Sequence, residues 1–142
     1  MITIQRDATE AFTVEINALI RQLSSSAPAL TREQVTALLD QQALSLFVAR
    51  DNAGSLLGML SLVVFNIPTG RRAWIEDVVV TNAARGQGIG RQLVEAAVTH
   101  AHELGARTVD LTSRPSREAA NRLYQRSGFV ARETNVYRFA DQ

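Results

Sequence analysis

The chain has 142 residues, of which 46% are hydrophobic and 20% charged; that is enough apolar content for one well-cored domain and too much for a disordered segment. It contains no cysteine, so disulfides, cysteine–zinc sites and a thiol nucleophile are excluded. The formal net charge of +1 is too small for a field that would dominate nucleic-acid binding, and no nucleic-acid partner is expected.

Residues 1–5 alternate weakly and read as a strand; residues 8–23 read as a helix with Phe12, Ile16, Leu19, Ile20 and Leu23 on one side. The first residues lack the basic segment and apolar core of a secretory signal. Ser24-Ser25-Ser26-Ala27-Pro28 breaks the helix. Thr31 then reads as an N-cap with Gln34 three positions on, opening a helix that carries Val35, Leu38 and Leu39. Residues 45–50 and 55–65 read as a hairpin joined by a loose turn at 51–54. The apolar run at 56–65 is interrupted by Gly58 and Ser61 and is about half the length of a membrane span. The expectation is a soluble, cytoplasmic protein with no membrane partner. Residues 66–72 read as a polar turn leading to the strand Trp74-Ile75-Glu76-Asp77-Val78-Val79-Val80, which is β-branched and hydrophobic enough for a sheet interior.

The most informative stretch follows that strand. Arg85-Gly86-Gln87-Gly88-Ile89-Gly90-Arg91 places glycines at alternate positions ahead of a helix striped by Ile89, Leu93, Ala97, His100, Ala101 and Leu104. Glycines allow left-handed dihedrals and let main-chain N–H groups approach an anion at the positive end of a helix. Arg85 and Arg91 lie beside the same loop and are placed to add charge-assisted hydrogen bonds. The spacing fits neither the mononucleotide P-loop nor the dinucleotide Gly-x-Gly-x-x-Gly fingerprint, so the loop reads as a socket for some other pyrophosphate. His100 and His102 have no carboxylate–histidine spacing of a metal site, and no metal is expected.

The remainder reads as a strand at 108–112, a helix at about 116–126 capped by Gly128, and strands at 130–132 and 136–139. An edge formed by residues 130–139 would allow a homodimer, and a covered edge is equally compatible. A parallel strand–helix–strand unit after antiparallel strands indicates an α+β (mixed α/β) fold. No repeat or linker interrupts residues 1–142, which read as a single domain.

Arg85-Gly86-Gln87-Gly88-Ile89-Gly90 resembles the Arg/Gln-x-x-Gly-x-Gly/Ala signature of the GNAT-type N-acetyltransferase superfamily. Glu76-Asp77-Val78-Val79-Val80 is similar to the family's fourth strand, and Asn121-Arg122-Leu123-Tyr124-Gln125-Arg126-Ser127-Gly128-Phe129 to its late Asn-x-x-Tyr-x-x-x-Gly-Phe segment. The resemblance implies a splayed mixed sheet of six to seven strands flanked by about four helices, with the early helical pair as a substrate lid. It implies acetyl-coenzyme A as co-substrate, with its pyrophosphate on Arg85, Gly86, Gln87, Gly88, Ile89, Gly90 and Arg91. The pantetheine arm would pair with the backbone of Val78, Val79 and Val80 and meet Asn121.

Acetyl transfer from a thioester to an amine needs an unprotonated amine, a polarised carbonyl and a proton for the leaving thiolate. Strict alternation along the strand puts Glu76, Val78 and Val80 on one face and Ile75, Asp77 and Val79 on the other. The resemblance favours Glu76 as the group that takes the amine's proton, with a structural ion pair as the alternative, and Tyr124 as the acid that protonates the thiolate, with a core tyrosine as the alternative. The acceptor expected is the primary amine of a small molecule; a protein or peptide amine, or a coenzyme-binding sensor without catalysis, are the competing readings.

Overall fold

Alternating apolar residues build the strands of this protein, and helical stripes cover both sides of them. The computed structural model describes residues 1–141, which divide into one unit from Met1 to Thr112 and another from Ser113 onward. The first unit holds a sheet in the order β1(Ile2–Ile4), β2(Leu44–Arg50), β3(Leu56–Ile67), β4(Gly70–Val80) and β5(Thr108–Asp110). Neighbours from β1 to β4 are antiparallel, whereas β5 runs parallel to β4. Helices α1(Glu10–Leu23), α2(Arg32–Leu39) and α3(Ile89–Glu103) belong to this unit, and α4(Glu118–Arg126) to the second.

The register shows which face each helix covers. Leu46, Val48, Met59 and Val79 share one face and pack with Phe12, Ile16 and Leu19 of α1 and Val35 of α2. Phe47, Leu60, Leu62 and Ile75 lie on the opposite face, where α3 packs: the Phe47 and His100 rings meet edge-on at 5.6 Å. Leu93, fully buried on α3, contributes about 1.5–3 kcal/mol by leaving water. Gly58 allows the close approach of β3, β4 and α3, since a Cβ there would stand 2.9 Å from the Val79 carbonyl oxygen and 3.2 Å from Leu93 Cδ1.

Local chemistry sets the element ends. Thr31 caps α2 through a reciprocal box with Gln34, as its sequence spacing predicts. Asn17 on α1 grips the approach to α2: its Nδ2 donates to Leu30 O at 2.9 Å and its Oδ1 accepts from Leu30 N at 2.8 Å. Arg50 at the end of β2 donates to both Glu15 oxygens and to Gly54 O, tying the sheet to α1.

Five expectations are corrected. The described residues form five strands rather than six to seven; residues 130–132 and 136–139 are not strands. They have the right composition, but a strand exists only with a partner ladder, and Val130, Val136, Tyr137 and Phe139 are strongly exposed instead. The edge proposed for a homodimer is therefore missing from the described residues. The polar turn at 66–72 is much shorter, because the β3–β4 pairing continues to Ile67↔Gly70 and leaves only Pro68 and Thr69 between the strands. The turn at 51–54 is not loose, since Asp51 Oδ1 accepts from the amides of Ala53 and Ser55. The alternation of β4 breaks at Asp77, with consequences for the site. The described residues contain four α-helices, and none of them is long and apolar enough to cross a membrane.

Candidate active site

β4 begins as an ordinary central strand and ends as an open one. Its pairing with β5 covers Arg72↔Thr108, Ala73↔Val109 and Trp74↔Asp110, then stops. From residue 75 to residue 80 the β5-facing edge of β4 has no strand beside it among the described residues, leaving main-chain donors and acceptors for another partner.

The same segment carries a bulge. Ser61 pairs with Glu76 and Met59 with Val79, so Leu60 alone faces both Asp77 and Val78. Asp77 takes the turn with φ 51°, the only non-glycine residue at positive φ among those described. The extra residue shifts the parity of the strand: Val79, expected opposite Glu76, lies on Glu76's side and joins the core under α1 and α2. A one-strand pattern cannot reveal this, because a bulge is defined by the residue count of the partner.

Glu76 is exposed and forms no ion pair among the described residues, so the structural ion-pair alternative lacks a partner there. Its Oε1 accepts a hydrogen bond from the indole Nε1 of Trp74 at 2.8 Å. Sequence reading passed over Trp74, although its position two residues before Glu76 on a strand was a usable signal. Desolvation, and secondarily the Glu76 carboxylate, raise the Asp77 carboxyl above its ordinary value. Because Asp77 as a whole is exposed, solvent screening keeps this effect small.

β4 runs through a single 3-10 turn, Asn82–Ala84, into the glycine loop. Gly86 and Gly88 have φ of 81° and 77°, conformations that side chains with a Cβ rarely adopt. Gly90 does not share them, since it lies inside the first turn of α3, for which Gly88 is the N-cap. Main-chain pairing passes from Arg85 N, bonded to Asn82 O, to Gln92 N, bonded to Gly88 O. Between them the amides of residues 86–91 have no backbone partner among the described residues, and a glycine N-cap supplies no side-chain acceptor. These donors sit at the positive end of a 15-residue helix. Arg85 is exposed beside them, whereas the Arg91 guanidinium bonds Glu95 one turn along at 2.7 Å. The loop therefore offers mainly backbone donors, with the Arg85 guanidinium unpaired among the described residues and Arg91 committed to Glu95 through its Nε.

The second unit holds the other two candidates. Tyr124 on α4 is 7% exposed, burial that also fits the core-tyrosine alternative, and its ring meets Phe129 edge-on at 6.1 Å. Burial raises its phenol above the usual value, with Arg117 opposing. Gly128 and Phe129 close α4, their amides returning to Gln125 O and Tyr124 O; with the Tyr124–Phe129 contact this is a complete Schellman end. Asn121 spends its Nδ2 on Arg114 O at 3.0 Å, which leaves its carbonyl oxygen as the free side-chain group. No group of three or more metal-ligating side chains occurs among the described residues.

The Acetyltransferase (GNAT) family profile matches residues 9–129 of this chain. The chain is 35% identical over 127 residues to glucosamine 6-phosphate N-acetyltransferase 1 of Oryza sativa subsp. japonica, covering 83% of this chain and 73% of that protein. It is 34% identical over 91 residues to mycothiol acetyltransferase of Propionibacterium freudenreichii subsp. shermanii. That match covers 64% of this chain and 29% of the relative, so the chain spans under a third of its length. An aminoglycoside acetyltransferase from an uncultured soil metagenomic sample shares the fold, with a TM-score of 0.88 at 20% identity over 100% of this chain and 95% of that one.

Proposed function

Because the chain belongs to the GNAT acetyltransferase family and is by that membership an acyltransferase, we propose that it moves an acetyl group from acetyl-coenzyme A to the primary amine of a small molecule. Transfer is direct, within a ternary complex, and residues 1–142 act as one catalytic domain in a cytoplasmic setting. The observation that carries this reading is the unpaired edge of β4 running into a loop of unpaired amides. The residues present suit the donor. The amides of residues 86–91, with Arg85, would hold its pyrophosphate, and Gly86 and Gly88 have no Cβ to intrude. Val78, Val79 and Val80 would offer main-chain groups to the amides of its pantetheine arm, and the free oxygen of Asn121 would serve the same arm.

The thioester supplies an activated acyl carbon, so no covalent nucleophile is required of the protein. Glu76 binds the ammonium form of the acceptor and takes one proton from it, freeing the nitrogen lone pair. As the nitrogen bonds to the acyl carbon and the carbon–sulfur bond breaks, Tyr124 gives its phenolic proton to the departing sulfur, and the second proton lost by the nitrogen restores the phenol; its raised pKa keeps that proton in place at neutral pH. The rice and Propionibacterium relatives are named for glucosamine 6-phosphate and mycothiol, which supports a small-molecule acceptor over a protein one.

A thiol-release assay with acetyl-coenzyme A against panels of amines, amino acids and peptides tests this. Turnover with a small amine that falls at least roughly tenfold in Glu76→Gln is expected for loss of a proton-transfer group. Turnover only with peptides would reassign the acceptor. Saturable coenzyme binding without turnover would leave a sensor, and no binding would overturn the reading.

A further inference from the structure

We propose that Trp74 is a positioning residue that presents the Glu76 carboxylate to the acceptor amine; this rests on the assignment of Glu76 above. The two residues lie two apart on β4, before the bulge, and so share the face that carries α1 and α2. The indole Nε1–H donates to Glu76 Oε1 at 2.8 Å. Glu76 is exposed, and an exposed glutamate has several torsions to fix before it can meet a substrate at one place. No arginine among the described residues pairs with it, which leaves the indole to restrain it. Trp74 is half-buried, and its backbone sits in register with Val63 of β3.

An indole N–H donates and never accepts. It cannot carry the amine's proton, and its hydrogen bond lowers the basicity of Oε1, so Oε2 is the better acceptor for the proton leaving the ammonium nitrogen. Trp74 thus selects the reacting oxygen as well as the rotamer. The sheet supplies this device because the bulge begins only at Asp77, one residue beyond the pair. A bulge spanning Ile75 and Glu76 would have separated the two side chains onto different faces.

Trp74 is the only tryptophan in the chain, so a single indole ¹⁵N–¹H cross-peak reports the bond without ambiguity. Replacing Trp74 with 3-benzothienylalanine removes the N–H and keeps the ring shape. The expected results are a cross-peak that moves upfield in Glu76→Ala and a kcat roughly tenfold lower in the isosteric variant. These kinetics use the amine with the highest turnover in the panel above, with KM for acetyl-coenzyme A unchanged. In a Glu76→Gln background the same replacement should change nothing further. An unmoved cross-peak, or wild-type kcat in the isosteric variant while Glu76→Gln is impaired, overturns the positioning role and leaves the proposed function standing. Full activity of Glu76→Gln alone refutes the Glu76 assignment, and the role of Trp74 falls with it.

Discussion

Replacing Gly88 with valine separates conformation from space. A Cβ at Gly88 would meet nothing within 4 Å, yet the residue has φ +77°, so the cost is almost wholly backbone strain. For an L-residue that strain is about 1–2 kcal/mol, with β-branched side chains at the upper end. At about 3 °C per kcal/mol for a chain of this size, a fall of about 3–6 °C in Tm is expected if the loop keeps its shape. If the loop instead relaxes, its amides lose their common aim. Losing one or two hydrogen bonds to a charged group would cost about 2–4 kcal/mol of binding, or about 30-fold to 700-fold in Kd for acetyl-coenzyme A. Asparagine tolerates the left-handed region, so Gly88→Asn should lie between glycine and valine. Calorimetry with acetyl-coenzyme A and with S-acetyl-pantetheine, which lacks the pyrophosphate, distinguishes the cause. Only the former should weaken in Gly88→Val. A valine variant that keeps wild-type affinity and Tm, or loses affinity equally for both thioesters, refutes the assignment of the loop to the diphosphate.

Gly58→Ala places a methyl group 2.9 Å from the Val79 carbonyl oxygen and 3.2 Å from Leu93 Cδ1; a loss of about 1–3 kcal/mol in denaturant stability is expected from overpacking. Asp77→Asn keeps a residue that accepts φ 51° and removes the repulsion with Glu76. The raised carboxyl pKa means that folding favours the protonated form, a contribution present below 3.8 and lost as pH rises through the raised value. Asp77→Asn should therefore raise Tm slightly at pH 7, and that gain should vanish in scans below pH 3.8. Tyr124→Phe should lower turnover at least roughly tenfold. With the wild-type phenol raised above 10.0, the midpoint of any loss from Tyr124 ionisation in the pH–rate profile should lie above that pH.

The glycine loop was legible because its chemistry is local: residues without a Cβ before a striped helix permit few other conformations. The helix caps at Thr31 and Gly128 were legible for the same reason, each resting on side-chain type within one turn. The bulge at Asp77 was not, since aspartate is common in many settings and only the count of β3 residues opposite makes it an insertion. Asn17 was not legible because its partner, Leu30, lies thirteen residues away and only the fold brings it within reach, whereas the Trp74–Glu76 pair follows from strand alternation alone.

Sequence alone settled the inventory and the local conformations: no thiol chemistry, an α+β arrangement, a left-handed glycine turn at a helix start, and carboxylates just before it. Tertiary structure decided how many strands find partners, where β5 leaves β4, and which face each β4 side chain takes after the bulge. The physical reason is that dihedral preference and capping depend on neighbours along the chain, whereas ladder pairing is a property of two segments at once. A segment such as residues 130–139 can have strand composition and still form no strand without the second one.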